Sequence, residues 1–301
     1  MADWGIAPTI LIFADGDDGM ATACDSALAS GGRIAAALPI AGAADRLEDQ
    51  IAVDLVMLDI TRDHGPLLDK LLSMIEEGAQ ARRFASVVTI APDLIDIATA
   101  RIAHEDVSVL VGRDRNAVDI AIGKRLARRD PALREVDDED QATRLHHMIE
   151  EMERLGRSLP ADIESDADGG SGFESTRRET ARMSIEDLDL PDAAGIREVI
   201  RARRLRDELF GPDLFADPAW DILLDLTAAR LEGRSVAVSS LCIAAAVPAT
   251  TALRWIKQLT VAGLLRRVSD PVDRRRVFIE LTDHAAAAMM TYFAVLWARR
   301  S

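Results

Sequence analysis

From residue 8 to about residue 128 the chain alternates two kinds of segment. Short apolar runs rich in β-branched residues recur at TILIF (9–13), VDLVML (53–58), SVVTI (86–90) and VSVLV (107–111), and a further strand is expected within GRIAAALPI (32–40). Stretches of helical composition, such as MATACDSALAS and GPLLDKLLSMIEEG, lie between them. Strand, helix, strand in this rhythm predicts an open parallel sheet with helices on both faces, an α/β domain over residues 1–130.

The pattern then changes. Leu145, Met148, Met152, Leu155 and Leu159 are spaced 3, 4, 3 and 4 apart among charged residues, which predicts a coiled-coil helix over about 142–159. After Pro160 the chain is acidic and rich in Gly and Ser, with few large apolar side chains to offset the cost of ordering it. Residues 131–190 therefore read as a coiled-coil helix followed by a flexible linker.

Residues 191–301 predict a third region, mainly helical. A basic amphipathic helix runs from Asp192 to Phe210, where Gly211 and Pro212 stop it, and a second covers 218–233. Val236, Ala237 and Val238 form a minimal strand, and Ser239 or Ser240 caps a short helix, 241–247. Pro248 opens a further helix, 248–262, that closes at Gly263. Two helices joined by a tight turn make a helix-turn-helix.

The second of these helices has one apolar stripe, Ala252, Trp255, Ile256 and Leu259. Its opposite face carries Ala249, Thr250, Leu253, Arg254 and Lys257, small enough at its start to enter a major groove, with Arg254 long enough to reach a guanine edge. No acidic residue occurs between Ser235 and Ser269. A hairpin follows, strands 264–268 and 276–281, with Arg274, Arg275 and Arg276 in a row behind its turn. Arginines at the tip of a two-stranded ribbon suit phosphates or a narrow minor groove, and Asp270 and Asp273 are placed to hold the guanidinium planes.

Charge sharpens the division. The whole chain has a net charge of −15, but residues 191–301 hold 16 Lys/Arg against 13 Asp/Glu, a net of +3, so the remainder carries −18. There is no apolar run long enough to span a membrane and no signal-peptide pattern at the N-terminus, so a cytoplasmic protein is expected. Cys24 and Cys242 fit neither a disulfide framework nor a metal spacing, and Cys242 reads as a core thiol. Neither a P-loop, a nucleophile elbow nor a His/Cys metal set is present, which argues against an enzyme.

Gly263-Leu264-Leu265 followed by RRVSDPVDRRRVFIELTDHA is similar to the wing signature of the MarR family of winged helix-turn-helix regulators, over roughly Trp220 to Ala285. The resemblance implies that Thr250, Thr251 and Arg254 contact bases or phosphates and that Asp273, Arg274 and Arg275 are the wing contacts. It also implies a dimer interface from the outer helices, here 192–210 and 284–300, where Met289, Phe293 and Leu296 suit a buried contact. That family binds small effectors near this interface; no residue set here carries such a site across.

The strand order and the run VDLVMLDI resemble the receiver domain of two-component response regulators, a flavodoxin-like fold. Asp59 stands where that family accepts a phosphoryl group, and Asp15, with Asp17 and Asp18 close by, where it holds Mg²⁺. The first acidic position is Ala14, the hydroxyl position Ala91 and the lysine position Gly112. These departures favour a pseudo-receiver, with Mg²⁺ at Asp15 and Asp59 and phosphorylation of Asp59 as the alternative. His64 reads as an exposed loop residue.

The expectation is a homodimeric regulator that reads a roughly palindromic site on double-stranded DNA with helix 248–262 and wing 270–276. Its DNA contacts would be Thr250, Thr251, Arg254, Lys257, Asp273, Arg274, Arg275 and Arg276, and the dimer would form through 142–159 and the outer helices. The other reading is an interaction adaptor that recruits partners through the pseudo-receiver and coiled coil.

Overall fold

The computed structural model describes residues 7–50, 52–127, 192–211 and 214–298. The coiled-coil and linker expectations over 131–190 lie outside the described residues.

The N-terminal region follows the alternating pattern: β1 (Thr9–Ala14), α1 (Asp17–Ala29), β2 (Arg33–Pro39), α2 (Ala43–Glu48), β3 (Leu55–Ile60), α3 (Pro66–Gln80), β4 (Ala85–Ile90), α4 (Ile95–Arg101), β5 (Val107–Val111) and α5 (Arg115–Ala127). All strand pairs are parallel, in the order β2-β1-β3-β4-β5. That is the doubly wound order of flavodoxin-like sheets. Every residue of β3 and β4 is buried, as expected where helices cover both faces and the strand reads as a continuous apolar run.

Successive side chains along each strand point to opposite faces and so feed two different cores. Ile10, Ile12, Leu55 and Met57 pack with α1 and α5, whereas Leu11, Phe13, Val56 and Leu58 pack on the side of α2, α3 and α4. Gly78 in α3 permits a close approach: a Cβ there would lie 2.1 Å from Cζ of Phe84.

The C-terminal region is α6 (Ala193–Phe210), α7 (Pro218–Leu231), β6 (Val236–Ala237), α8 (Val238–Ala244), α9 (Ala249–Val261), β7 (Leu265–Ser269), β8 (Val277–Leu281) and α10 (Asp283–Ala298). The strands make a small antiparallel sheet in the order β6-β8-β7. Asp192 caps α6 by accepting from Gly195 N–H at 2.8 Å, and Asp217 accepts from Trp220 N–H at 3.3 Å to cap α7, where Pro218 takes the first turn.

The outer helices meet within the chain. Ile196 of α6, Leu224 and Ala228 of α7, and Met289 and Phe293 of α10 form one buried cluster, with Trp220, Leu296 and Trp297 packed around it. The buried contact expected of Met289 and Phe293 is thus made inside the domain. The basic face of α6 is also engaged internally. Arg197 donates to Asp225 and Glu232, and Arg203 donates to the buried Asp221 at 2.7 Å. No single helix among the described residues is long and apolar enough to cross a membrane.

Phe293 is fully buried where three helices meet. Phe293→Ala is expected to destabilise this region by about 3–5 kcal/mol, read as a lowered urea midpoint for its unfolding transition.

Candidate nucleic-acid interface

The two helices of the turn motif are bent 108° from one another, inside the range of helix-turn-helix pairs. The turn between them passes through Ala246 at φ 52°, and Pro248 caps α9, its carbonyl accepting from Thr251 N–H at 2.8 Å and Ala252 N–H at 3.0 Å. Ala252, Ile256 and Leu259 are buried and Trp255 half-buried, as the stripe requires.

One local expectation is corrected. The first motif helix starts at Val238 on an Ala237 cap with no side-chain bond, rather than at Leu241 on a serine cap. Ser239 instead donates from its N–H (2.9 Å) and its hydroxyl (2.6 Å) to the carboxylate of Asp96 in α4, whose charge offers a stronger acceptor than a neutral cap would.

Gly263, at φ 71°, ends α9, with Leu264 N–H donating to the Leu259 carbonyl at 3.0 Å. Thr282 ties the far strand of the wing to this point, donating its N–H to Leu264 O at 3.0 Å and its hydroxyl to Gly263 O at 2.9 Å. Arg266 on β7 pairs with Glu280 on β8 at 2.8 Å.

The aspartates of the wing do not hold guanidinium groups, contrary to the expectation from their spacing. Asp270 Oδ1 accepts from Val272 N–H at 2.8 Å and Asp273 N–H at 3.3 Å, and Asp273 Oδ1 accepts from Arg275 N–H at 2.9 Å. The Asp-x-x-Asp spacing therefore builds the turn, because short carboxylate side chains reach backbone amides two or three residues on. Arg274 and Arg276 are left exposed at its tip.

The remaining candidate contacts face the α/β domain. Thr250 Oγ1 accepts from Val111 N–H at 2.8 Å, at the end of β5. Lys257 donates to the His104 carbonyl at 2.7 Å. Arg275 donates from Nη1 and Nη2 to the two oxygens of Asp63 at 2.8 and 2.6 Å, and from Nε to Asp69 at 3.1 Å. These bonds hold the Asp63 carboxyl below the usual carboxylate range and Arg275 above its ordinary value. Arg267 on β7 donates to the carbonyls of Thr99 and Ile102 at the C-terminal end of α4, and burial pulls its guanidinium below the ordinary arginine value. Arg254 is exposed and Thr251 half-buried.

In the α/β domain, Asp59 sits buried at the end of β3 and is gripped by Arg113, which donates from Nη2 to Oδ1 at 2.6 Å and from Nε to Oδ2 at 3.2 Å. Arg113 thus puts a cation at Asp59 from the residue after Gly112, although Gly112 at the lysine position implies a site without one. Gly19 makes room for this pair, since a Cβ there would lie 2.1 Å from Asp59 Oδ1.

Asp15 is enclosed. It accepts from Thr61 N–H (2.8 Å), the Thr61 hydroxyl (2.9 Å) and Arg62 N–H (3.0 Å), and lies 3.1 Å from His64 Nε2. Burial pushes its pKa up, but the bonds from Thr61, His64 and Arg62 outweigh that and leave it below the usual value. His64 is accordingly half-buried rather than exposed. One carboxylate is thus engaged by N–H, O–H and imidazole groups and the other by a guanidinium. Among the described residues no group of three or more His, Cys, Asp or Glu side chains could hold a metal.

Thr250, Lys257, Arg275, Asp59 and Asp15 were legible as candidates; Arg113, Arg267, Asp63, Asp69 and Asp96 were not. Arg113 had a signal in its position just after the last strand, whereas Asp63, Asp69 and Asp96 read as ordinary surface acids until the two regions are seen together.

Residues 220–285 match the model of the winged helix DNA-binding domain, which spans α7 through the start of α10. The C-terminal region is a winged helix domain. Among solved structures the chain is similar to a cysteine-to-serine mutant of MarR from E. coli (19% identity, covering 36% of this chain and 78% of that one, TM-score 0.24). It is also similar to BpsR of Bordetella bronchiseptica, described by the regulation of its DNA binding by 6-hydroxynicotinic acid (21%, 36% and 74%, TM-score 0.23). A third is a probable transcriptional regulator from Pseudomonas aeruginosa (22%, 39% and 83%, TM-score 0.24). No curated protein matches the chain.

Cys242 is buried in α8, and that burial, with the nearby Asp96 charge adding to it, pushes the thiol up to about 12. At pH 8 only about one thiol in ten thousand is then ionised. Iodoacetamide is expected to leave Cys242 unmodified in the native protein and to label it in urea, as read by peptide mass.

Proposed function

We propose that the protein is a DNA-binding transcriptional regulator in which a winged helix domain reads duplex DNA and the α/β domain modulates it. The observation that carries this reading is the winged helix match over residues 220–285, together with an exposed arginine pair at the wing tip. Arg254 on α9 would reach base edges, Thr251 would contact a base or phosphate near the start of the helix, and Arg274 and Arg276 would neutralise phosphates. Thr250, Lys257 and Arg275 belong to the same reading surface.

The active species would be a homodimer on a roughly palindromic site, with half-sites about one helical turn apart. Leu205, Leu209 and Phe210 remain exposed on α6 and offer apolar surface for a second copy; the heptad spacing over 142–159 would add a second contact. In the α/β domain, the Asp59–Arg113 pair supports a pseudo-receiver that works through contacts rather than phosphoryl transfer. It places a permanent cation against the carboxylate that would otherwise act as acceptor.

The test is selection of bound fragments from random duplexes by the full-length protein, followed by titration of variants. Arg254→Ala is expected to erase sequence preference at the position it reads, at about 1–3 kcal/mol. Arg274→Ala with Arg276→Ala is expected to weaken all sequences alike and to flatten the salt slope by about two units at most. No enrichment by the folded protein, whether or not Asp63 and Asp69 are replaced by Asn, would move the assignment to the adaptor.

A further inference from the structure

We infer that the α/β domain is a built-in competitor for the DNA-reading surface, so that the arrangement seen here is an autoinhibited state. This rests on the DNA-binding reading above and adds how that surface is regulated.

The groups that meet the winged domain imitate a phosphate backbone. Arg275 takes both oxygens of Asp63 and one of Asp69, a fork-to-carboxylate arrangement that a phosphate reproduces. Arg267 takes two carbonyls at the C-terminal end of α4, where unpaired C=O groups and the helix dipole concentrate negative potential. Lys257 takes the His104 carbonyl just beyond. The surrounding domain is acidic, with 20 Asp/Glu against 11 Lys/Arg between residues 1 and 127.

The contact also covers the face of α9 that must enter a groove. Thr250 is bonded to the end of β5, and Leu253 and Ala249 join an apolar cluster that runs from Ile95, Ala98 and Ile102 into the winged domain. A helix lying on β5 cannot also lie in a major groove. Ser239 with Asp96 fastens α8, outside the reading face, to the same α4.

DNA therefore binds only the fraction of molecules in which the domains have parted, and the apparent Kd is the intrinsic value divided by that fraction. Added salt has opposing effects: it weakens the Arg275 pairs that keep the protein closed while screening the phosphates that reward opening.

Two full-length proteins test this against a pool of random-sequence duplex DNA. The first carries Asp63→Asn and Asp69→Asn, both outside the winged domain and close to the original volumes. Its Kd is expected to fall by roughly tenfold relative to the unmodified chain. The second carries Asp96→Cys and Ser239→Cys in a Cys24→Ser background. Once mass spectrometry shows the disulfide, its binding is expected to be weaker by at least about tenfold than after reduction. Equal Kd for the Asn protein and the unmodified chain overturns the inference, as does a formed disulfide that leaves Kd unchanged; if no disulfide forms, the Asn protein alone decides. DNA binding of equal strength in every state overturns autoinhibition and leaves the DNA-binding reading standing, whereas no binding in any state removes both.

Discussion

A cationic face on the winged domain meets an anionic face on the α/β domain, and the relative placement of the two halves depends on that meeting. Arg267 is the clearest case. The residue as a whole stays exposed, but its guanidinium is half-buried where it meets the α/β domain and needs acceptors there. The carbonyls of Thr99 and Ile102 supply them at the end of α4, where the helix leaves such groups without internal partners. Around this bond the apolar cores of the two regions join, so that α8 rests on α4 and α9 on β5. Charge sets the orientation and apolar burial gives it strength.

The loop after β3 links this contact to the buried Asp59 near the end of that strand. Asp15 holds the loop by accepting from the amides of Thr61 and Arg62 and meeting His64, and one residue away Asp63 presents its carboxylate to Arg275. The loop that Asp15 holds in place thus forms the clasp for the wing. Asp59 itself is held by Arg113 in the room that Gly19 leaves. The side chains at this end of the sheet are committed to ion pairs and backbone bonds.

The wing shows how one motif can serve local structure before it serves function. Asp270 and Asp273 each satisfy backbone amides of the turn, which aims Arg274 and Arg276 outward and Arg275 sideways. Three consecutive arginines therefore do not act as one patch. Two are exposed, and the middle one points to the neighbouring domain because consecutive residues in a turn project in different directions.

Much of this protein could be read from residue order alone. The β-branched runs placed four strands of the parallel sheet, and β3 and β4 read most plainly because a strand covered on both faces is apolar throughout. The stripe Ala252, Ile256 and Leu259 located α9 and its inner face, and Gly263 its end, because helical periodicity and left-handed backbone leave local marks. The reach of Ser239 to Asp96, of Arg267 to the end of α4, and of Arg275 to Asp63 and Asp69 left no such mark. Those partners lie between 143 and 212 residues apart along the chain, and an exposed acid looks the same in sequence whether or not a distant arginine meets it. The elements follow from short-range spacing, but the occupation of the DNA-reading face follows from how two finished surfaces match in charge and shape, and only the tertiary structure decides that.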